Sequence, residues 1–422
     1  MTVSHRRLIE LGPSEQAALV AGARDTQPVR GLTHNYYKYP ARFSPSFVKA
    51  AIEVFTEPAD LVLDNHVGGG TTLVEALALG RHAIGIDISS LAEFVSTAKT
   101  TVFSEDELKR LSAWMRRLPG AVHIRKPSVH LSEYAVLGYY KHLNHPSRWR
   151  LRKAIEQALA SAVRLECPRL ESFARCVVLR TAQWALDSRK TLPSIEGFRE
   201  KLVEYAGEML AGATQFSSEV GRHSHSPSAH VINRSAVGID RDWKWPAAPR
   251  LVVTSPPYPG VHVLYHRWQV DGRKEAPLPF MIANKLDGSG SSYYTMGDRK
   301  YPMLRTYFDN IRASMASIAA IADGSTTVVQ MVAFSDAAWQ LPRYLETMDD
   351  AGLTEVFLPV LQGQADGRLW RTVPGRRWYS DQRGRTPGSQ EVVLIHRLKG
   401  SLARGGLQSV KRLTVGQVLK TE

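Results

Sequence analysis

The chain has 422 residues, of which 43% are hydrophobic and 22% are charged, as is ordinary for a globular protein with two or three folding units. No segment approaches the roughly twenty apolar residues of a membrane helix, and the N-terminus lacks an apolar signal core, so we expect a cytoplasmic protein without a membrane partner. The 54 Lys and Arg outnumber the 40 Asp and Glu, giving a net charge of +14. This excess favours a polyanionic partner, because phosphate neutralisation supplies most nonspecific affinity for nucleic acid.

A short segment at 33–45 combines aromatic and basic side chains in the order Thr-His-Asn-Tyr-Tyr-Lys-Tyr-Pro-Ala-Arg-Phe-Ser-Pro. Ser44 followed by proline predicts a capped helix over Pro45–Phe55, since proline is favoured at the first helical position. Taken alone, the aromatic cluster is better explained by core packing.

A glycine-rich turn follows the first predicted strand. The strand Leu61–Asp64 leads into Asn-His-Val-Gly-Gly-Gly-Thr-Thr, and a helix is predicted over 73–79. At such a junction the helix start offers free N–H groups, and the missing side chains let a ligand approach the backbone. The next strand, 83–87, ends in Asp87, where folds of this type hold ribose hydroxyls. Together, the glycine turn and the terminal acid indicate a nucleoside cofactor.

Residues 104–229 change character and predict a helical insertion. Apolar residues recur at helical spacing in three stretches between 152 and 215, and Ser104 begins a segment with a cap and an acidic first turn. The linker at 221–229 contains two histidines but no carboxylate or cysteine. We therefore predict no metal site in this protein.

The stretch Leu-Val-Val-Thr-Ser-Pro-Pro-Tyr at 251–258 joins an apolar, β-branched run to two prolines and an aromatic residue. Its first four residues predict a buried central strand, after residues 230–233 restart the sheet. Two consecutive prolines lack backbone donors and fix φ, so the strand must end in a stiff turn. Ser255 and Tyr258 are then presented at the carboxyl edge of the sheet, where open α/β folds bind their ligands.

Two later segments combine basic and aromatic residues. Four such residues follow the proline motif closely, and they either contact a nucleotide or pack in a core: His262, Tyr265, Arg267 and Trp268. The segment 363–389 interleaves arginines with tryptophan and tyrosine, which suits phosphate neutralisation with base stacking. The alternative for this second segment is a disordered basic loop.

These elements predict an α/β protein with a Rossmann-like sheet, helices on both faces and a helical insertion. The sheet domain would comprise residues 33–103 and 230–398, the insertion residues 104–229, and a C-terminal tail residues 399–422. Its later elements are predicted as helices over 303–322 and 337–351 and strands over 326–332, 354–361 and 391–396.

Three stretches, in this order, resemble the amino-methylating DNA methyltransferases, which use S-adenosylmethionine. Residues 34–45 resemble the leading motif of that family, 63–88 its cofactor loop with the following Gly-Ile-Asp, and 254–258 its catalytic Ser-Pro-Pro-Tyr. The combination is specific where any one motif would not be. The resemblance implies a methyltransferase fold and a double-stranded DNA substrate whose target base is flipped out. The insertion and the basic segment 363–389 compete as the part that reads the DNA.

The resemblance also implies roles for individual residues. Methyl transfer would be carried by Ser255, Pro256, Pro257 and Tyr258. The cofactor would be held by Asp64, Gly68, Gly70 and Thr71 on its methionine side, by Tyr39 and Phe43 near the methionine end, by Asp87 at the ribose and by Asn233 near the adenine. The nucleic acid would contact His262, Tyr265, Arg267, Trp268, Arg371, Arg376 and Arg377.

Serine at the first motif position resembles the cytosine-N4 enzymes more than the adenine-N6 enzymes. We therefore predict a cytosine-N4-specific DNA methyltransferase that belongs to a restriction or phage-defence system. Cytosine-C5 methylation is disfavoured, because neither Cys167 nor Cys176 follows a proline. An adenine-N6 enzyme, an RNA amino-methyltransferase and an inactive DNA-binding homologue stay open. The last is motivated by Asn65-His66, which stands where the family has Pro-Phe.

Overall fold

The computed structural model describes residues 7–27, 29–38, 43–127, 131–143, 145–260, 268–270, 274–285, 296–297, 301–363, 366–372 and 390–400. Its helices are α1 (Pro13–Arg24), α2 (Pro45–Phe55), α3 (Thr71–Ala78), α4 (Ser90–Lys99), α5 (Glu105–Ala121), α6 (Leu131–Val136), α7 (Trp149–Val163), α8 (Pro168–Leu186), α9 (Ile195–Gly221), α10 (Leu278–Ala283), α11 (Arg305–Ile321) and α12 (Ala337–Asp350). Its strands are β1 (Leu61–Asp64), β2 (His82–Asp87), β3 (Ala229–Asn233), β4 (Leu251–Thr254), β5 (Trp268–Val270), β6 (Lys274–Ala276), β7 (Thr327–Ala333), β8 (Leu353–Val356), β9 (Leu369–Thr372) and β10 (Gln390–Leu398).

One mixed sheet organises the chain, in the order β3-β2-β1-β4-β7-β10-β8, with β9 also paired to β10. The five strands from β3 to β7 are parallel, whereas β10 runs antiparallel to β7, β8 and β9. The strand order reverses between β1 and β4, because β2 and β3 extend the sheet to one side and β7 extends it to the other. Such a reversal opens a crevice at the carboxyl ends of the two central strands.

Helices cover both faces of the sheet, as the sequence predicted. Val62 and Val253 pack in the cluster that includes α1, α2 and α3, while Leu63 and Val252 pack in the cluster that includes α11 and α12. The central strands are therefore buried on both sides and show no polar alternation, which is why they read as continuous apolar runs. The predicted α/β class is confirmed.

The predicted insertion forms a helical lobe, here defined as α5 to α9. Its apolar cluster joins the sheet domain through α4 and through two buried aromatic residues of the leading segment, Tyr36 and Tyr37. The same cluster contains Trp268 of β5 and Phe280 of α10. The lobe core thus also takes in residues that the sequence assigned to the sheet domain.

Some local predictions were wrong. Ser44 precedes α2 as expected, but its side chain accepts no capping hydrogen bond. The predicted strand 354–361 ends at Val356, and Pro359–Leu361 forms a 3-10 helix instead, because proline cannot donate to a strand ladder. Helix α11 begins at Arg305 rather than at 303, since Met303 and Leu304 adopt positive φ.

Candidate functional site

Asp64, at the end of β1, ties the two predicted motifs together. Its Oδ1 accepts hydrogen bonds from Thr254 Oγ1 at 2.7 Å and from the backbone N–H of His66 at 3.1 Å, and its Oδ2 accepts one from Thr72 Oγ1 at 2.7 Å. The carboxylate is buried, and burial raises the pKa of Asp64 to about 6. The glycine turn, the start of α3 and the end of β4 are thereby anchored to one side chain at one edge of the sheet.

This arrangement gives Asp64 a structural role. Its oxygens accept from three donors of the chain itself, so the carboxylate organises the loop, while its predicted contact with the cofactor stays a prediction. The two threonines that hold it, Thr72 and Thr254, were not predicted as site residues. A hydroxyl residue close to the predicted strand end at Asp64 was the only sequence feature that pointed to Thr72. Thr254 comes within hydrogen-bond distance of Asp64 only because β1 pairs with β4.

The glycine turn between β1 and α3 is shaped by contacts from α4. Gly68 and Gly70 have φ values of +46° and +73°, which disfavour residues with a Cβ. Ser96 Oγ donates to the Gly68 carbonyl at 3.3 Å, and Lys99 Nζ donates to the Gly69 carbonyl at 2.6 Å. Because the C=O and N–H of one planar peptide point in opposite directions, the Gly69 N–H is turned away from Ser96. A backbone donor with this orientation is suited to an anionic or polar ligand.

Asp87, at the end of β2, faces the same turn. Its Oδ2 accepts from the Gly68 N–H and its Oδ1 from the Ser89 N–H, each at 2.9 Å. Burial raises the pKa of Asp87, and a carboxylate offers about four lone-pair sites, more than the backbone N–H groups of Gly68, Ser89 and Ile88 occupy. Ile88 lies next to Asp87, and 46% of its surface is exposed. This apolar side chain is suited to contact a nucleobase, although the sequence did not predict it as a site residue. Asn233, on β3, is exposed and donates to the Asp87 carbonyl at 3.0 Å.

These groups fit S-adenosylmethionine. Glycines at 68 and 70 leave the backbone open, and a Cβ on Gly70 would lie 2.8 Å from Ser96 Oγ. The Thr71 N–H at the start of α3 is one of the donors that a helix start leaves unpaired, and it would suit the methionine carboxylate. Asp87 would accept the ribose hydroxyl groups and Ile88 would contact the adenine ring.

The leading segment is fastened to the two helices that hold the glycine turn. His34 Nε2 lies 2.7 Å from Glu75 Oε1 on α3, and Thr33 Oγ1 donates to the Lys99 carbonyl on α4 at 2.8 Å. Phe43 is half-buried with its ring centroid 6.0 Å from that of Phe47 on α2. Tyr39 lies outside the described residues, so its predicted contact with the cofactor stays a prediction.

The Ser-Pro-Pro-Tyr turn follows β4 directly. Ser255 Oγ donates to the Met331 carbonyl of β7 at 3.1 Å and lies 3.4 Å from the Tyr258 hydroxyl. Tyr258 is 9% exposed, and its hydroxyl donates to Glu391 on β10. Pro256 is buried, and the Pro257 carbonyl accepts from the Tyr307 hydroxyl at 2.9 Å. The turn is thus held from three sides: β7, β10 and α11.

The departure at Asn65-His66 is accommodated by the structure. Asn65 is buried against α11, where its Nδ2 donates to Ser314 Oγ at 3.3 Å. The His66 ring lies beside β4, with Nδ1 3.4 Å from Thr254 Oγ1. Burial lowers the pKa of His66 to about 3, so the ring is a neutral aromatic group at physiological pH. It keeps an aromatic surface between the glycine turn and the proline motif.

The residues predicted to contact nucleic acid divide into two groups. Those at 262, 265, 267, 376 and 377 lie outside the described residues. The structure describes Trp268 and Arg371, and it corrects the role that the sequence predicted for each of them. Trp268 is buried in the lobe cluster, where its Nε1 donates to the Tyr37 hydroxyl at 2.9 Å. Arg371 is buried in an ion pair with Glu391 at 2.8 Å. The polar groups that would contact a phosphate or a base are thus engaged within the protein.

Within the described residues, no group of three His, Cys, Asp or Glu side chains could hold a metal ion. The linker histidines instead contact carbonyl groups at the end of α3: His223 Nε2 lies 2.9 Å from the Ala78 oxygen, and His225 Nε2 lies 2.6 Å from the Gly80 oxygen. The first contact satisfies an acceptor that a helix end leaves without an intrahelical partner, whereas the Gly80 carbonyl also accepts from the Ala59 N–H at 2.8 Å. Among the residues that the structure describes, no helix is long and apolar enough to cross a membrane.

Sequence comparison matches residues 22–99 to the family of N6/N4 DNA methylases. The chain is 39% identical over 82 residues to the Type II methyltransferase M.MvaI of Kocuria varians, covering 19% of this chain and 18% of that protein. It is 30% identical over 78 residues to the Type II methyltransferase M.MjaII of Methanocaldococcus jannaschii, covering 18% of this chain and 15% of that protein. Each match spans less than a fifth of the relative's length. The family match at 22–99 contains the leading segment, the glycine turn and Asp87.

Structure comparison finds methyltransferases at low similarity. The rRNA methyltransferase AviRa of Streptomyces viridochromogenes aligns with a TM-score of 0.29 and 11% identity, covering 94% of this chain and 97% of that one. A SAM-dependent methyltransferase from Agrobacterium tumefaciens aligns with a TM-score of 0.30 and 11% identity, covering 86% of this chain and 64% of that one. At these scores the alignments do not bear on function.

Proposed function

We propose, from the match of residues 22–99 to the amino DNA methyltransferase family, that the chain transfers a methyl group from S-adenosylmethionine to the exocyclic N4 of cytosine in a specific DNA sequence. The observation that carries the proposal is the contact between its two motifs. Asp64 holds both the glycine turn and the β4 end that presents Ser255. A cofactor on the turn and a base at the Ser-Pro-Pro-Tyr motif would therefore face each other across the crevice.

When bound, S-adenosylmethionine supplies an electrophilic methyl group. An exocyclic amine is a poor nucleophile because its lone pair is delocalised into the ring. Acceptors placed against its N–H groups stabilise the charge that develops on nitrogen in the transition state more than they stabilise the ground state. Ser255 and the Pro256 carbonyl suit this role.

The hydrogen-bond direction at Ser255 supports its role as an acceptor. The hydroxyl has one proton and donates it to the Met331 carbonyl. Its oxygen lone pairs are then the part that a substrate amine can use. Tyr258, whose hydroxyl is held by Glu391, would supply the surface on which the extruded base stacks.

Mass spectrometry of the methylated nucleoside tests this proposal. DNA is incubated with the full chain and S-adenosylmethionine and then digested, and we expect N4-methylcytosine. N6-methyladenine would overturn the choice of base and retain the class of enzyme. Methylation of tRNA without methylation of DNA would overturn the DNA substrate. DNA binding without transfer would indicate an inactive homologue.

We also propose that the enzyme protects DNA from a restriction or defence nuclease of the same specificity. The relatives described above are named Type II methyltransferases, which motivates this part. Sequencing the methylated positions in cells that express the chain alone should show one short recurring sequence. Scattered methylation without a common sequence would contradict a protective role.

A further inference from the structure

A buried ion pair outside the predicted motifs reaches the Ser-Pro-Pro-Tyr turn. The Tyr258 hydroxyl donates to Glu391 Oε1. The other oxygen, Oε2, accepts from Nε of Arg371 at 2.8 Å, and Nη2 of the same guanidinium also lies 2.8 Å from it. Glu391 is 4% exposed and Arg371 is 7% exposed. Tyr258 and Glu391 are 133 positions apart in sequence, so nothing local connects them.

We propose that Glu391, held by Arg371, is a positioning residue for methyl transfer that acts through Tyr258. This inference rests on the proposed function. A carboxylate only accepts hydrogen bonds, so the Tyr258 hydroxyl must donate its proton to Glu391. The tyrosine ring is thereby fixed, and the lone pairs of its hydroxyl are left for Ser255, 3.4 Å away.

The direction of these bonds extends to the predicted acceptor. Whether Ser255 donates to Met331 or to Tyr258, its single proton is used within the protein. Ser255 is then unable to donate to the substrate amine and can only accept from it. Glu391 therefore sets the hydrogen-bond direction of Tyr258 and keeps the tyrosine proton away from the Ser255 oxygen that would accept from the base.

The position of the pair agrees with a functional role better than with a role in stability. Arg371 and Glu391 are direct partners in the β9–β10 ladder, and Arg371 Nη1 also lies 3.4 Å from the Ala23 carbonyl at the end of α1. Replacing a buried ion pair by apolar residues is often neutral or stabilising, because desolvation offsets the attraction between the charges. The presence of this pair is therefore weak evidence that it stabilises the fold. Its contact with Tyr258 supports a role in positioning that side chain instead.

Steady-state kinetics on DNA tests the proposal. Glu391→Leu is combined with Arg371→Leu so that no buried charge is left alone. We expect kcat to fall by about 10²-fold, as when a group is misplaced by about 1 Å, with KM for both substrates nearly unchanged. Glu391→Gln, which keeps an acceptor for Tyr258, should lose less. In a Tyr258→Phe background the double substitution should cost no further activity, and an undiminished loss there would overturn the proposal.

A second ion pair on the same part of the sheet provides the matched control. Arg368 donates from Nε and Nη2 to Glu355, each at 2.7 Å, and this half-buried pair has no described contact with Tyr258. Glu355→Leu combined with Arg368→Leu should leave kcat unchanged. An equal loss in kcat would show that any ion pair at this edge has the same effect and would overturn the specific role.

NMR of the protein labelled at tyrosine Cζ separates this inference from the proposed function. The Tyr258 signal is identified by its absence in Tyr258→Phe. It should shift in Glu391→Gln and in the Glu391→Leu, Arg371→Leu protein, and stay in place in the control pair. If the unchanged chain transfers no methyl group to any nucleic acid, the proposed function fails while this shift still tests the contact. An unmoved Tyr258 signal would overturn the inference whatever the activity.

Discussion

Single hydroxyl protons determine much of the chemistry that this site can perform. Thr72 and Thr254 both donate to Asp64, while Ser255 donates away from the crevice to Met331. The first two bonds hold the loop and the strand end together. The third leaves Ser255 as an acceptor. Residues of similar chemistry thus have different functions because their partners differ.

Ser255→Ala removes the predicted acceptor for the substrate amine. We expect kcat to fall by about 10²-fold, comparable to the loss of one positioned hydrogen-bonding group in other active sites. Affinity for DNA should be unchanged, because most of that affinity comes from phosphate contacts. Single-turnover methylation and equilibrium DNA binding measure the two quantities.

A matched serine in the helical lobe controls for the loss of a hydroxyl. Ser161 is buried on α7 and donates to the Ala158 carbonyl at 2.7 Å, and its neighbours Ala158 and Ala162 pack in the lobe cluster, far from the motif in sequence. Ser161→Ala should leave kcat unchanged. Similar losses in both variants, or a drop in DNA affinity with Ser255→Ala, would contradict the role of Ser255.

The elements around the glycine turn work as one unit. β1 and β2 bring Asp64 and Asp87 to the same edge, and α4 holds the carbonyl groups of the turn through Ser96 and Lys99. The turn also rests on Gly85 of β2, where a Cβ would lie 2.7 Å from the Val67 side chain. The loop conformation is therefore imposed by its neighbours as well as by its own glycines.

Alanine substitutions at Gly70 and Gly68 separate strain from steric overlap. Both positions have positive φ, which costs a residue with a Cβ about 1–2 kcal/mol. At Gly70 the new Cβ would also lie 2.8 Å from Ser96 Oγ, whereas at Gly68 the nearest atom would be 3.8 Å away. Calorimetry should show that Gly70→Ala weakens S-adenosylmethionine binding more than Gly68→Ala does. Equal affinities would contradict the packing of α4 against the turn.

At the scale of the whole molecule, two regions carry basic residues that could read DNA. The helical lobe exposes a consecutive pair, Arg116 and Arg117, on α5. The segment 363–389 contains another pair at 376 and 377, whereas its described neighbour Arg371 is buried. The two pairs have the same charge and spacing, so they allow a direct comparison of the regions.

Replacing each arginine pair by alanine tests which region binds the DNA backbone. We expect the change at Arg376 and Arg377 to weaken binding and to lower the slope of log K against log salt by roughly 2, about one for each phosphate that the variant no longer neutralises. The same change at Arg116 and Arg117 serves as the comparison and should have the smaller effect. The reverse order would identify the lobe as the main DNA-binding surface.

His396 makes the stability of the whole molecule depend on pH. It is buried in β10, and within the described structure neither ring nitrogen has a hydrogen-bond partner. Burial and the nearby Arg368 lower the pKa of His396 from 6.5 to about 3. Between these values the unfolded chain binds a proton that the folded chain does not. Folding stability from this group is therefore lost as the pH falls, by up to about 1.4 kcal/mol per pH unit.

Urea unfolding of His396→Leu measures this contribution. Asp64 acts in the opposite direction, because its pKa is raised from 3.8 to about 6, and stability from its protonation is lost as the pH rises through that range. Because both proteins contain Asp64, its effect cancels when the free energy of unfolding of the unchanged chain is subtracted from that of the variant. This difference should grow in favour of the variant as the pH falls from about 7 to about 5. Parallel stability curves would contradict a neutral, buried His396.

Patterns along the chain were sufficient to predict the sheet class, the longer helices and the two turns at its centre, but not the short helices α6 and α10. The glycine turn, the prolines after β4 and the buried strand runs are local features, because backbone preferences act over a few residues. The family match lies in the same local features, at 22–99.

Contacts between distant segments could not be predicted in this way. Trp268 and Arg371 look like nucleic-acid contacts in a basic and aromatic sequence, yet the fold buries both. Glu391 has no local signal, and it reaches Tyr258 only because β10 pairs with β7 and β7 pairs with β4. Residue types along the chain thus decided which elements form and which chemistry is available. The order of the strands decided which of those residues meet, because burial and hydrogen-bond direction depend on neighbours that the chain brings from far away.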